Sequence, residues 1–177
     1  MKSLLLLDAD IVIDLHVLGN WKAIVGSYKI HLPATVVSEI KHYPQGNQLI
    51  PIDLNVYINS GKVTVVSVDI QEQTRIFEQL RNDNVDGIDP GELEALCYML
   101  ITSDIRIALK DHAAIRAAAF LSITDRALSV EQVLKEVGIL RVKDQVSYEL
   151  SEERFRKFKT EGAFLAVEAQ KKKPHKS

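Results

Sequence analysis

The chain has 177 residues, of which 46% are hydrophobic and 26% charged, and its formal net charge is -2. This length fits one domain with its own hydrophobic core, and this composition is typical of a soluble globular protein without a membrane span. The single cysteine, Cys97, excludes an internal disulfide and a cysteine-based zinc site, and it suits a reducing cytoplasm.

The charge is distributed unevenly along the chain. Residues 154–177 contain eight Lys or Arg against two Glu, and the rest of the chain carries the acidic surplus. An acidic body is compatible with cation binding, and a basic end is compatible with contact to a polyanion. The simpler interpretation of the last seven residues, KKKPHKS, is a solvated, flexible tail.

The predicted elements alternate between strands and helices. In the first half of the chain, the pattern predicts a buried strand at 4–7, a helix over 11–26, a strand at 28–33, a helix over 34–42 and a turn-rich segment over 43–51. In the second half, it predicts strands at 62–68, 105–109 and 122–124, and helices over 70–83, 92–102, 112–121, 127–140 and 151–173. We therefore expect a three-layer α/β/α sandwich with a mainly parallel central sheet.

Carboxylates recur where the predicted strands end or the following helices begin. Asp8 follows the first strand, Glu39 lies in the helix after the second, Glu92 and Glu94 open a later helix, and Asp111 follows another strand. Because the carboxyl ends of parallel strands meet at one edge of a sheet, we expect these acids to converge. Clustered carboxylates raise one another's pKa, and a divalent cation such as Mg²⁺ relieves that repulsion.

Each acid also has a purely structural interpretation. Asp8 or Asp10 could cap the helix that follows, and Asp111 could cap the next alanine-rich helix. The segment Asp89-Pro-Gly-Glu92 has the pattern of a capping box with proline at the first helical position. These interpretations do not predict a carboxylate at every equivalent place, so their joint occurrence favours a site.

The motifs around these acids resemble those of the PIN-domain superfamily, the metal-dependent nucleases that include the toxins of VapBC toxin–antitoxin pairs. The matching segments, in order, are LLLLDAD, IHLPATVVSEIKH, DPGELEALCYML and IALKDHAAIRAAAFL, and the resemblance covers roughly residues 4–142. Two features depart from the family pattern. Lys110 stands where members often have Thr or Asp, and SITDRALSVEQVL lacks a Gly-Thr pair that many members carry.

The resemblance implies an acidic catalytic set of Asp8, Glu39, Glu92 and Asp111. Asp8, Glu92 and Asp111 would hold Mg²⁺ or Mn²⁺, and Glu39 would bind at the rim or orient the attacking water. Asp10 and Glu94 are second-rank candidates. Since residues two positions apart differ by about 200° around a helix, only one of the two glutamates in the later helix is expected to face the metal.

The implied activity is hydrolysis of phosphodiester bonds in RNA, most plausibly single-stranded, by a cytoplasmic ribonuclease. Residues 1–145 would form the nuclease domain, and residues 146–177 a C-terminal helical segment with a basic, flexible tail. Further implications are a homodimer and, for a toxin, an antitoxin protein as partner. Because the body is acidic, contacts to nucleic acid are expected from basic side chains, namely Lys110, Arg116, Lys171, Lys172 and Lys173.

Two other functions fit parts of the sequence. LLLLDADIV is similar to the nucleophile motif of haloacid-dehalogenase-type phosphatases, with Asp8 as nucleophile, but that family needs a late pair of acids and gives no role to Glu39 or Glu92. The second alternative is a catalytically weak scaffold, which Lys110 and the missing Gly-Thr pair favour. A zinc enzyme is disfavoured because the five histidines show no i, i+4 pair.

Overall fold

The computed structural model describes residues 2–6, 8–139 and 146–172, and the side chains from residue 8 onward within these ranges. Its strands are β1 (Lys2–Leu6), β2 (Tyr28–Pro33), β3 (His42–Gln45), β4 (Gln48–Pro51), β5 (Val63–Val66), β6 (Ile105–Ala108) and β7 (Ala127–Leu128). Five of them form one sheet in the order β5-β2-β1-β6-β7, and every neighbouring pair is parallel. The predicted α/β class with a parallel sheet is confirmed.

Helices connect the strands of this sheet. They are α1 (Ala9–Val17), α2 (Trp21–Ser27), α3 (Ala34–Glu39), α4 (Asn55–Asn59), α5 (Ile70–Asn82), α6 (Pro90–Ile101), α7 (His112–Phe120), α8 (Val130–Glu136) and α9 (Glu152–Lys172), with a 3₁₀ turn at Tyr148–Leu150. Within the described ranges, none of these helices has the length and apolar character needed to cross a membrane.

The strand order places β1 beside β6 at the centre of the sheet. From β1 the chain runs outward through β2 to β5, and it then returns to β6 and continues outward on the other side to β7. In open parallel sheets, ligands bind in the crevice at the carboxyl ends of the two strands where this direction reverses. The loops after β1 and β6 are therefore the expected walls of a binding site.

The apolar side chains fall into two buried clusters. The first combines α1, α2 and α8 with Ile30 and Leu32 of β2. The second combines α5, α6 and α7 with Ile105 and Ile107 of β6, and it includes Phe155 of α9. Ala108 follows Ile107 directly in the chain but belongs to the first cluster.

The helix predicted over 11–26 is two helices. Gly19 adopts a left-handed φ of 69° between α1 and α2, a conformation that glycine reaches at little cost and that ends a helix. Asn20 then precedes the first residue of α2. The apolar periodicity continued across the break, which is why it did not reveal the turn.

The segment predicted to be turn-rich over 43–51 contains a turn within an antiparallel hairpin of β3 and β4, whose two strands were not predicted. Gly46 and Asn47 occupy its two-residue turn, and Gly46 has a φ of 58°. Gly-Asn between two short extended runs is a recognised hairpin signal. The prolines of this segment, Pro44 and Pro51, are both compatible with an isolated two-stranded ribbon.

The strand predicted at 122–124 begins five residues before the observed strand, Ala127–Leu128. Ser122 has a left-handed φ of 60° and belongs to the turn after α7, and the strand is β7. The helix predicted from 127 accordingly begins at Val130, with the Ser129 side chain accepting a hydrogen bond from the Gln132 amide. Helix α4 was not predicted. The predicted 127–140 helix also ends early, at Glu136, and Gly138 follows it with a left-handed φ of 86°. The burial of residues 4–7 and Lys173 lie outside the described side chains.

Candidate active site

Asp8 joins the end of β1 to the start of α1. Its Oδ1 accepts a hydrogen bond from the Ile11 amide at 2.8 Å, so Asp8 is the N-cap of this helix. The capping role expected for Asp10 is therefore wrong. Asp8 is only 5% exposed, and its Oδ2 has no hydrogen-bond partner among the described residues. A buried carboxylate oxygen without a partner is costly, and such atoms are typical of functional sites.

Asp111 occupies the equivalent position after β6. Its Oδ1 accepts hydrogen bonds from the amides of Ala113 at 2.6 Å and Ala114 at 3.3 Å, which makes it the N-cap of α7. Its Oδ2 lies 3.3 Å from Nδ1 of His112. The two central strands of the sheet thus each end in an aspartate that starts the next helix.

Glu92 enters the site from the first turn of α6. The Asp89 side chain accepts a hydrogen bond from the Glu92 amide at 2.8 Å, and Glu92 Oε2 accepts one from the Asp89 amide at 3.3 Å. This is the capping box that the sequence pattern indicated. Although it sits at the helix start, Glu92 is only 4% exposed, so its carboxylate is enclosed by the protein.

Glu39 is the last residue of α3 and faces the start of α6. A Cβ built on Gly91 would lie 3.6 Å from Glu39 Oε2, 3.5 Å from Asp89 Oδ1 and 3.0 Å from Val36 Cγ2. The glycine therefore lets α3 and α6 approach closely while two carboxylates flank the same point. Glu39 remains exposed at this edge.

These side chains line one cleft of about 180 Å³ at the carboxyl edge of the sheet. The cleft is lined by Asp8, Ala9, Asp10, Val36, Glu39, Gly87, Asp89, Gly91, Glu92, Lys110 and Asp111. All four acids of the predicted catalytic set are brought together here. The cleft lies where the strand order reverses, which is the position that parallel sheets favour for ligands.

The cleft is strongly acidic, and this raises the pKa of several of its carboxyl groups. Burial is the main cause for Asp8, whose pKa is raised to about 7 with a contribution from the nearby charge of Asp10. Burial likewise raises the pKa of Glu92 to about 9, and the charges of Asp89, Asp111 and Asp8 add to it. Burial also raises the pKa of Glu39, and the charges of Asp89 and Asp10 add to it. The site thus disfavours its own negative charges unless a cation balances them.

Lys110 supplies a positive charge at the cleft. Its Nζ lies 2.8 Å from Asp14 Oδ2 and 3.3 Å from Asp10 Oδ2. Burial opposes the charged ammonium, but these two carboxylates outweigh it and raise the pKa of Lys110. Among the residues that line the cleft, it is the only lysine or arginine. Because Lys110 is already paired with two aspartates at the rim, it leaves the negative charges of Asp8 and Glu92 unbalanced.

The two second-rank candidates differ in their surroundings. Asp10 lines the cleft, and its exposed side chain is paired with Lys110. Glu94 is buried elsewhere, where its carboxylate accepts hydrogen bonds from the Thr35 hydroxyl at 2.6 Å, the Thr35 amide at 3.2 Å and the Val68 amide at 3.2 Å. As the helical geometry predicted, Glu92 and Glu94 point in different directions, and Glu94 ties α6 to α3 and to the residues after β5.

Most of the basic residues predicted to contact nucleic acid lie away from the cleft. Arg116 lines a separate groove beside Phe164 of α9, and Lys171 pairs with Glu168 at 3.2 Å in the last turn of the same helix. Lys172 ends that helix. Of the members of the predicted set that the structure describes, Lys110 alone lines the acidic cleft.

Sequence reasoning did not assign Asp89 or Asp14 to the site. Asp89 was interpreted only as a helix cap, yet it also lines the cleft and raises the pKa of Glu92. Asp14 lies on α1 six residues beyond Asp8 and anchors Lys110. The signal for Asp89 was its place in the same capping box as Glu92. Nothing in the local pattern links Asp14 to Lys110, which is 96 residues away in the chain.

In this arrangement, the residues that the structure describes include no group of three or more His, Cys, Asp or Glu side chains that could together hold a metal ion. The caps explain part of this. Asp8 and Asp111 direct one oxygen at the backbone of their own helices, and Glu92 directs one at the Asp89 amide. Each of these three carboxylates therefore keeps a second oxygen that its helix cap does not use.

Comparison with known proteins identifies no protein class for this chain, so the class is inferred from the fold and the cleft. No model of a protein family matches the chain, and no curated protein matches its sequence. What the structure itself defines is an α/β protein with a parallel sheet and an acidic cleft at the reversal point of its strand order.

Proposed function

We propose that this protein is a metal-dependent ribonuclease of the PIN-domain type. The observation that carries the proposal is the convergence of Asp8, Glu39, Glu92 and Asp111 on one cleft, where the buried Asp8 Oδ2 has no hydrogen-bond partner in the described part of the chain. We also infer a three-layer α/β/α sandwich. The assignment of the consecutive strand residues Ile107 and Ala108 to different core clusters supports it, since successive side chains of a strand point to opposite faces.

The donor set fits Mg²⁺ or Mn²⁺. Both are hard cations that take carboxylate oxygens, and Mg²⁺ keeps several waters while using one or two direct carboxylates. A site of this kind does not need three protein ligands in direct contact. Asp8 would bind through its free Oδ2, and Glu92 and Asp111 would bind directly or through water. The raised pKa values of Asp8 and Glu92 support a site that is completed by a cation.

A bound divalent cation would supply charge stabilisation at the phosphate and lower the pKa of a bound water. The chain's own residues would do the rest. Glu39, exposed at the mouth and with a raised pKa, is placed to orient a water molecule and accept its proton. Lys110 at the rim would attract the phosphate backbone, which an acidic cleft otherwise repels. Single-stranded RNA is the proposed substrate.

The test is a comparison of two helix-capping aspartates. Asp8→Asn keeps an oxygen for the Ile11 amide but removes the carboxylate from the cleft, and we expect RNA cleavage to fall at least about 100-fold. Asp69→Asn is the matched control because Asp69 caps α5 through the Gln71 amide and does not line the cleft. Cleavage of a labelled single-stranded RNA is measured with Mn²⁺ and with EDTA.

Three results would contradict the proposal. They are equal cleavage by Asp8→Asn and the wild type, cleavage that persists in EDTA, and hydrolysis of a small phosphoester without cleavage of RNA. The last result would favour the phosphatase alternative, in which Asp8 is a nucleophile. Circular dichroism of both variants checks that the fold is retained.

One observation favours a second candidate, a scaffold without catalysis. The described residues include no group of three or more His, Cys, Asp or Glu side chains that could hold a metal ion as arranged, and Asp8, Glu92 and Asp111 all take part in helix caps. A scaffold would show no heat of Mn²⁺ binding in calorimetry and no cleavage. An antitoxin partner and a homodimer are predictions of the family resemblance, and size-exclusion chromatography with light scattering tests the homodimer.

A further inference from the structure

The C-terminal helix α9 contacts the loop that carries Lys110 and Asp111 to the cleft. Arg154, in the first turn of α9, donates from Nη1 to the main-chain carbonyl of Lys110 and, at 3.3 Å, to the carbonyl of Glu149. A guanidinium whose Nη1 donates to two main-chain carbonyls is held in one position rather than left as a free surface charge. Arg154 thus fastens the residue directly before Asp111 to the start of α9.

A second contact reinforces the first. The Arg154 guanidinium carbon lies 5.1 Å from the centre of the Phe158 ring, one turn further along α9. That ring lies 5.5 Å from the ring of His112, centre to centre. The His112 side chain in turn contacts Asp111 Oδ2 at 3.3 Å. Two residues of α9 therefore hold the backbone before Asp111 and the side chain after it.

The position of α9 along α7 is itself fixed. Gly162 is buried where the two helices cross, and a Cβ added there would lie 2.7 Å from Arg116 Cα and 2.8 Å from Ala119 Cβ. Because only glycine allows this approach, α9 is held at one height on α7. A shift by one helical turn would carry Arg154 away from Lys110.

We infer that Arg154 is a positioning residue for the cleft, and that α9 acts through it to fix the loop that presents Lys110 and Asp111. The effect of Arg154 on catalysis rests on the proposed function, whereas its effect on the position of the loop does not. Residues 151–172 are thereby assigned to the site, although none of their side chains lines the acidic cleft itself.

The test variant is Arg154→Gln, which removes the guanidinium that donates to the two carbonyls and keeps a polar side chain. Hydrogen exchange by NMR reads the amides of Ala113 and Ala114, which donate to Asp111 Oδ1. We expect their exchange to accelerate about tenfold or more, while the Ile11 amide at the Asp8 cap is unchanged. With RNA, kcat is expected to fall about tenfold and KM to change less than twofold, since the loop, not the substrate, is affected.

Arg156→Gln is the matched control. Arg156 lies on the same turn of α9, but it is exposed and pairs with Glu152 within its own helix. Its substitution is expected to leave both the exchange rates and kcat unchanged. If Arg154→Gln does not fold, Phe158→Leu removes the ring between Arg154 and His112 while retaining apolar volume, and the same acceleration is expected.

The outcomes separate this inference from the proposed function. Unchanged exchange at Ala113 and Ala114 in a folded Arg154→Gln protein overturns it, whatever the activity. A raised KM with unchanged exchange would also overturn it, since Arg154 would then contact RNA directly. Faster exchange in a protein whose wild type cleaves no RNA would support the loop contact and contradict the nuclease.

Discussion

At the residue scale, the same aspartates cap helices and line the cleft. An N-cap uses one carboxylate oxygen to accept backbone amides, as Asp8 does with Ile11 and Asp111 with Ala113. The other oxygen stays available, and at Asp8 it is buried without a hydrogen-bond partner among the residues that the structure describes. Helix N-termini also carry partial positive charge, which helps to hold an anionic side chain there. One aspartate side chain can therefore cap a helix and bind a ligand at the same time.

Glu94 fastens helices together and does not line the cleft, although it lies two residues from Glu92. Its buried carboxylate accepts three hydrogen bonds from Thr35 and Val68. We expect Glu94→Ala to lower the free energy of unfolding by about 2–4 kcal/mol, because it leaves these buried donors unpaired and opens a cavity. Urea denaturation followed by circular dichroism measures this effect.

The control for that variant is Glu78→Ala, on the exposed face of α5, for which a change within about 0.5 kcal/mol is expected. A loss at Glu94→Ala no larger than in the control would mean that the carboxylate does not fasten α6 to α3.

At the element scale, close helix contacts set the position of the loops. The contact of α9 with α7 depends on Gly162, and we expect Gly162→Ala to destabilise the protein by roughly 1–3 kcal/mol, because the added methyl group would overlap Arg116 and Ala119. Thermal unfolding monitored by circular dichroism checks this.

Gly26→Ala provides the contrast to Gly162→Ala. Gly26 lies in α2 with nothing within 4 Å of an added Cβ, so alanine there is expected to be neutral or to stabilise the helix by up to about 1 kcal/mol. Equal melting temperatures for the two alanine variants would show that α9 can move away from α7 at no cost.

At the scale of the whole molecule, the sequence predicted the parallel sheet because strand and helix patterns alternate locally. It also predicted the capping box of Asp89 and Glu92, since that contact lies within four residues. It could not predict that Asp89 lines the cleft, because this depends on how α6 packs against α3. The pairing of Lys110 with Asp14 likewise depends on the approach of α1 and the β6–α7 loop in space.

The acidic cleft also makes the stability of the whole protein depend on pH. The folded state binds a proton at Asp8 more tightly than the unfolded chain, because burial raises the pKa from 3.8 to about 7. Between these values the folded state carries the extra proton, so stability falls as pH rises, and above about pH 7 the contribution is constant. Glu92 extends the decline toward pH 9, since its pKa is raised to about 9 by burial and neighbouring acids.

Asp8→Asn removes the titrating group and isolates its share of this dependence. In EDTA, we expect the variant to become more stable relative to the wild type as pH rises from 5 to 7, by at most about 1.4 kcal/mol per pH unit, and the difference to level off above pH 7.

Saturating Mg²⁺ at pH 8 should then stabilise the wild type and not the variant, because a ligand that binds only the folded state raises stability by mass action. Urea denaturation at four pH values, with and without Mg²⁺, measures both effects. A stability difference that is the same at every pH would show that burial does not raise the pKa of Asp8. Equal stabilisation of both proteins by Mg²⁺ would show that the cation binds elsewhere.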